Sequence, residues 1–271
     1  MNKEDRFITL VHNEDKNKLK LLIGKYNKGE EIFAYIDGLL SKQNTVNYTD
    51  AEIYKMIKGK FGTPKIFTDT NFRGNKRSKD VMEIIDKCFH GKNIKSYLDI
   101  GVGSGEITEG ITILLNEKYG EGEVMSFGID IADERKIKTS SYNFDVYNGE
   151  KIPYGGADLI TCSMVLHHVP KLDTFVESLY KSLNTGGILI VREHNITDNS
   201  ELNLVSLQHR IMAGIYGETI YVHEMYENYM TKKKVIDVLT GKGFKQVAFD
   251  DSNMFSKTTN ITKYIYLVFT K

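Results

Sequence analysis

Apolar positions follow two regimes along the chain. Leu19, Leu22, Ile23 and Tyr26 recur at helical spacing, as do Ile32, Phe33, Ile36, Leu39 and Leu40, and then Ile53, Met56 and Ile57. These stripes predict helices, read as a small, mostly helical cap over residues 1–90. From Gly91-Lys92-Asn93 onward, short apolar runs alternate with amphipathic stretches, the pattern of βα units. Strands are predicted at 97–100, 124–129, 142–145, 157–163 and 188–191, with a late pair at 247–249 and 264–269. One helix follows the first strand from about 106 to 119. Another carries Leu172, Phe175, Val176, Leu179 and Leu183 and stops at Thr185-Gly186-Gly187; a third carries Val235, Ile236 and Leu239 and stops at Gly241 and Gly243. The fold class is therefore α/β: a seven-stranded, mainly parallel doubly wound sheet with an antiparallel late strand pair, plus the N-terminal helical cap. Residues 91–271 form the main domain, with 195–230 as a substrate-side insertion. In such sheets ligands bind at the carboxyl ends of the strands.

The 271 residues are 41% hydrophobic and 27% charged, an ordinary globular balance. With 36 Lys+Arg against 36 Asp+Glu, a uniformly basic coat for nucleic acid is excluded. A local patch is not. Lys55, Lys58, Lys60, Lys65, Arg73, Lys76, Arg77 and Lys79 run together with Asp69 as the only acid among them, and Phe61, Phe67 and Phe72 are interleaved. Such a segment is a solvated face, an anion-binding lid or an RNA contact, with Lys60, Lys65, Arg73, Lys76 and Arg77 as the contacting cations. Cys88 and Cys162 are the only cysteines, too few for a disulfide scaffold or a cysteine-rich zinc site. The charged start and the absence of a membrane-length apolar run suggest a cytoplasmic protein with no membrane partner.

The sharpest local signal is Leu98-Asp99-Ile100-Gly101-Val102-Gly103-Ser104-Gly105-Glu106, a strand running through three glycines into a helix. Glycine lets the backbone approach a bulky ligand, and the helix start offers N–H donors. A dinucleotide fold wants G-x-G-x-x-G for its pyrophosphate; here the third glycine would fall at Glu106, whose carboxylate repels a phosphate. Asp99 adds negative charge on the other side. The acids favour a ligand with a cationic portion, such as a sulfonium with its α-ammonium, over a nicotinamide dinucleotide. Asp130, 25 residues after Gly105, sits where an acid accepts from ribose hydroxyls, and Asp145 where one accepts from an adenine amino group.

From about Ser96 to Val191 the chain resembles the class I S-adenosylmethionine-dependent methyltransferases. The glycine run matches that family's first motif, and Asp130 and Asp145 fall at its ribose-side and adenine-side acids. Ala157-Asp158-Leu159-Ile160-Thr161-Cys162-Ser163-Met164-Val165-Leu166-His167-His168-Val169 matches its fourth motif in the small-molecule form. The resemblance implies S-adenosylmethionine as cofactor, bound by Asp99, Gly101, Gly103, Gly105, Asp130, Ile131, Asp145, Val146 and Ser163. The run Arg192-Glu193-His194, with Gln208-His209-Arg210 and Gly214-Ile215-Tyr216-Gly217 further on, is also similar to methyltransferases of large cytoplasmic DNA viruses.

Transfer from a sulfonium needs alignment and exclusion of water, and a base only where the acceptor must lose a proton. His167 and His168 after the fourth strand, and Glu193 and His194 after the fifth, are the candidates. No H-x-x-x-H or H-E-x-x-H spacing occurs among them, so no metal is expected. Ribose methyltransferases of the cap-modifying type carry a Lys-Asp-Lys-Glu tetrad. Here Ser163 or Met164 stands at the acid's place and no lysine follows the fifth strand, which argues against that type. The acceptor is a small molecule or RNA, with Tyr216, Tyr221, Tyr226 and Tyr229 available to stack a planar group. The alternative outside catalysis is a scaffold subunit for a protein partner.

Overall fold

Apolar residues alternate between the two faces of each central strand, and that alternation builds the sheet. The structure, a computed structural model, describes residues 13–24, 28–41, 50–62, 75–136, 141–216, 228–252, 254 and 263–271. The chain forms two units: Met1–Ile66, Ile196–Tyr229 and Thr258–Lys263 make the first, and Phe67–Asn195, Met230–Lys257 and Tyr264–Lys271 the second.

In the second unit the strands are β1 (Ser96–Ile100), β2 (Met125–Asp130), β3 (Asn143–Val146), β4 (Ala157–Ser163), β5 (Leu183–His194), β6 (Lys245–Val247) and β7 (Tyr264–Thr270). Their order is β3-β2-β1-β4-β5-β7-β6. β1 pairs in parallel with both β2 and β4, and β7 runs antiparallel to β5 and β6. This is the sheet the periodicity predicts, and its strand order reverses direction between β1 and β4, the position at which open α/β sheets bind ligands. On one face Leu98, Ile160, Leu189 and Val191 pack under Phe175 and Leu179 of α6 (Leu172–Ser182) and Val235 and Leu239 of α8 (Lys232–Thr240). On the other, Tyr97, Leu159, Ile188, Ile190 and Tyr266 pack under Ile84 and Ile85 of α4 (Lys76–Cys88) and Ile111 and Leu115 of α5 (Glu106–Tyr119). Each of these large side chains contributes about 1.5–3 kcal/mol by leaving water.

The first unit is helical. α1 (Asn13–Ile23), α2 (Gly29–Ser41) and α3 (Asp50–Phe61) join α7 (Asn199–Tyr216) around Leu19, Ile32, Ile36, Ile53, Ile57, Leu204, Leu207 and Ile211. Gly214 of α7 lies against Ile57, so close that a Cβ there would meet the Ile57 side chain. The segment read as a substrate-side insertion thus supplies a core helix of the small unit. Conversely α4, placed in the cap by its sequence, belongs to the sheet unit, because Val81, Ile84 and Ile85 pack on the β1 and β5 side chains.

Two boundaries differ from the sequence reading for a physical reason. α6 ends at Ser182, and β5 begins at Leu183 and runs through Gly186-Gly187 to His194. Arg192, Glu193 and His194 are therefore strand residues, not a loop after a strand. Their pairing with Tyr266, Ile265 and Tyr264 of β7 holds them in the ladder. No helix among the described residues is long and apolar enough to cross a membrane.

Candidate active site

The carboxyl ends of β1 and β2 build the first half of the site. Gly101, Gly103 and Gly105 all have positive φ, at 81°, 54° and 90°. At Gly101 the requirement is double, since a Cβ would collide with the Val165 side chain beyond β4. Gly105 caps α5 in the left-handed conformation. Above Gly103 nothing lies within 4 Å of where a Cβ would stand, so the loop faces open space.

Asp130 ends β2 beside this loop. Its Oδ2 accepts from the Gly103 N–H at 2.7 Å and its Oδ1 from the Ile131 N–H at 2.7 Å. Burial raises its pKa, and the two N–H groups oppose that rise. Each oxygen retains a lone pair for a further donor. Ile131 and Val146 flank the carboxylate with 51% and 58% of their surface exposed, unusual for large apolar side chains. Val146 is the β3 partner of Asp130 in the parallel register. Asp145, at the exposed edge strand, accepts a hydrogen bond from the Tyr154 hydroxyl, whose ring stacks at 4.9 Å on Phe127. A carboxylate between two bare apolar side chains beside a glycine loop suits a ribose and a planar base. The acidic surroundings do not suit a diphosphate.

Asp99 requires a correction. The sequence reading places it toward the ligand, whereas it is 4% exposed and points into the α4/α5 face, with Thr108 and Thr161 hydroxyls donating to its oxygens at 2.5 and 2.6 Å. It shares that face with Tyr97, whose hydroxyl lies 2.9 Å from Thr161 Oγ1. Asp99 thereby ties β1 to α5 and β4. Burial raises its pKa from 3.8 to about 6, against the two threonine bonds. The folded chain therefore holds this proton more tightly than the unfolded one. Stability from this group is present at low pH and falls as pH rises through about 4 to 6, by about 3 kcal/mol in all. Asp99→Asn removes that dependence. Urea unfolding of both proteins should show the wild type losing stability relative to the variant between pH 4 and 7; parallel curves would refute the assignment.

The second half of the site lies beyond β4. Ser163 ends β4, opposite Arg192 in the register. Met164 takes a left-handed φ of 61°, rare for a side chain of its kind, and its N–H donates to the Arg192 carbonyl at 2.8 Å. A 3-10 turn, Leu166–His168, follows. Glu193 organises it from inside the protein, at 2% exposure. Its Oε1 accepts from the Leu166 N–H (2.8 Å), and its Oε2 from His167 Nδ1 (2.6 Å) and the His194 N–H (3.1 Å). His167 and His194 are as deeply buried as Glu193. The expectation that His167, Glu193 and His194 line the mouth as bases is therefore corrected: strand alternation sends Glu193 inward, and it fixes the loop. His168 is the partly exposed member of the group, its ring 3.9 Å from that of His167.

Strand alternation sends Arg192 to the opposite face. Its guanidinium lies 4.3 Å from the Tyr264 ring centre and 6.0 Å from that of Tyr266. Tyr264 and Tyr266 are absent from the sequence reading of the site, although their period-two spacing in the late strand is a visible signal. Asn195 closes the strand, its side-chain oxygen accepting from the Lys232 N–H at 2.7 Å where α8 begins.

The basic segment divides. Lys65 and Arg73 lie outside the described residues, as do Phe67, Phe72, Tyr221 and Tyr226. Lys60, in the first unit, stands 4.1 Å over the Tyr35 ring. Lys76 and Arg77 open α4 in the second unit, where Lys76 is held by Asp80 at 2.7 Å and by the Met254 carbonyl at 2.6 Å. Tyr229 directs its hydroxyl to His209 Nδ1 at 2.9 Å.

The strand order agrees with what comparison with known proteins shows. Residues 73–248, well over half of the chain, match the methyltransferase domain family. An S-adenosylmethionine-dependent methyltransferase from Mesorhizobium loti superposes with a TM-score of 0.50 at 10% identity, covering 74% of this chain and all of that one. An uncharacterized protein of Methanocaldococcus jannaschii is 25% identical over 151 residues, covering 54% of this chain and 39% of its own length. A ubiquinone/menaquinone biosynthesis C-methyltransferase of Rhizobium johnstonii is 22% identical over 169 residues, covering 56% of this chain and 65% of its own length. The match thus reaches less than two thirds of either relative. On the strength of the domain match and the sheet that carries it, this chain belongs to the methyltransferase domain family.

Proposed function

We propose that the protein transfers a methyl group from S-adenosylmethionine to a nucleophilic acceptor. The observation that carries this reading is Asp130, anchored by two backbone N–H groups at the end of β2 between exposed Ile131 and Val146. The residues fit the cofactor. Asp130 would accept from the ribose hydroxyls, Ile131 and Val146 would flank the base, and the Gly103 loop would leave room for the methionine portion. When bound, S-adenosylmethionine supplies a methyl group already activated on a positively charged sulfur. The protein's own part is to hold the 163–168 loop in place through Glu193, to keep water away and, where the acceptor must lose a proton, to offer His168. Glu193 and His167 act as positioning residues.

The acceptor atom we take to be nitrogen or oxygen, and the name of the Rhizobium relative adds carbon to the atoms worth assaying. The two relatives named are archaeal and bacterial, so the likeness to viral enzymes gains nothing from them. An RNA acceptor remains the second arm of the test, since Arg77 is exposed on α4. Calorimetric titration with S-adenosylhomocysteine should show one-to-one binding, and labelled-methyl transfer should be detected into a metabolite extract or into RNA. Binding of a nicotinamide dinucleotide with no response to S-adenosylhomocysteine would overturn the reading. Binding without any transfer would favour the scaffold alternative.

A further inference from the structure

Arg192 and Arg77 belong to one corner of the sheet unit, and among the described residues neither guanidinium forms an ion pair. Arg192 leaves β5 on the α4/α5 face, against Tyr264 and Tyr266. Tyr266 donates from its hydroxyl to Asp80 Oδ2 at 3.3 Å, which brings the first turns of α4 over this corner. Arg77 precedes Asp80 by three residues, so the two lie along one side of the helix. Its charge acts on both Arg192 and Tyr266. The nearby acids are committed elsewhere. Asp80 is paired with Lys76, and Glu193 projects from the other face of β5 to His167. Among the described residues no carboxylate stands within ion-pair distance of either guanidinium. Burial first, and then the Arg77 charge, hold the Arg192 guanidinium below its ordinary range. A guanidinium half-buried against two aromatic rings, with the Arg77 charge acting on it, costs free energy that an incoming anion would offset.

The place of this corner says which ligand it serves. The glycine loop and Asp130 lie at β1 and β2, whereas Arg192 and Tyr266 lie at β5 and β7. Ser163 is the β4 partner of Arg192, one strand from β1. At about 4.8 Å per strand, Arg192 stands roughly 10 Å from the end of β1. With the cofactor held at β1 and β2, that is the far side of β4 from it, where an acceptor would lie. Resting on the methyltransferase reading above, we infer that Arg77 and Arg192 bind a single anionic group, a carboxylate or a phosphate, on a small-molecule acceptor whose apolar part lies against Tyr264 and Tyr266. A polyanion such as RNA is held by cations displayed to solvent, and half-buried Arg192 does not suit that role.

The test uses the full chain with benzoate and phenyl phosphate as probes, benzyl alcohol as the uncharged control and a short single-stranded RNA as competitor. Calorimetry or ligand-observed NMR should show one or both anions binding and the alcohol not. Arg192→Gln and Arg77→Gln should each weaken the anion by about tenfold. Arg192→Lys retains a charge and should recover part of what Arg192→Gln loses, which separates the effect from a change in stability read by thermal melting. S-adenosylhomocysteine affinity should be unchanged in every variant. The inference fails if neither anion binds the wild type, if the variants bind it as the wild type does, if RNA binds through these arginines while small anions do not, or if the variants lose S-adenosylhomocysteine. Failure of S-adenosylhomocysteine to bind the wild type would instead strike the methyltransferase reading and is seen separately.

Discussion

Asp130→Ala is expected to lower affinity for S-adenosylhomocysteine by about 100-fold or more while the sheet stays folded. A carboxylate bonded to ribose hydroxyls makes charge-assisted hydrogen bonds of about 1.5–3 kcal/mol each, and about 3 kcal/mol is more than a factor of 100. The same substitution frees the Gly103 and Ile131 N–H groups, which Asp130 holds at 2.7 Å, so the loop loses its tether along with the ligand its anchor. Asp130→Asn keeps one oxygen able to accept from Gly103 and is expected to fall between. Calorimetry reads the affinity, and circular dichroism with a thermal melt reads the fold. Wild-type affinity in the alanine variant would remove Asp130 from the site, and with it the placement of the cofactor over β2.

Glu193→Ala is expected to be the most destabilising single change in the site, at about 3–5 kcal/mol. The carboxylate receives three donors from within the protein, those of Leu166, His167 and His194, and at 2% exposure it lies away from bulk solvent. Glu193→Gln retains an acceptor for Leu166 but turns an amide donor toward a donor-bearing neighbour, so an intermediate loss is expected. Urea midpoints with unchanged slopes would measure both. Because Glu193 sets the 163–168 loop, methyl transfer should fall with stability in the alanine variant and further than stability alone explains in the glutamine variant. A wild-type midpoint for Glu193→Ala would refute the central place given to this residue.

Where the chain advertises its local geometry, the sequence is readable. The run into Gly101, Gly103 and Gly105, the α5 helix from Glu106 to Tyr119 and the strand ending at Asp130 are each set by a few consecutive residues, and all lie where their pattern puts them. α7 goes unread within the segment taken as an insertion, although Leu204, Leu207, Ile211 and Ile215 repeat at helical spacing, and only the fold shows that its partners are α1, α2 and α3. Arg192-Glu193-His194 misleads because three polar residues resemble a loop. What keeps them in a strand is the β7 ladder and a buried histidine from a distant segment, neither of which is local. Asp99 misleads for a related reason. Its sign suggests a ligand, but the parity it shares with Tyr97 already directs it inward, and Thr108 and Thr161 are waiting there.

The discontinuous make-up of the helical unit constrains how the protein is made. Its first helices leave the ribosome well before α7, so Ile53 and Ile57 emerge without Leu204, Leu207 and Ile211 to cover them. The whole β1 to β5 segment is synthesised in the interval. The sheet is itself incomplete until β7 and β6 follow α7, so neither unit closes early in translation, and a chain interrupted between Asn195 and Ile211 would carry an uncovered greasy stripe, the mark by which quality-control factors sort nascent polypeptides.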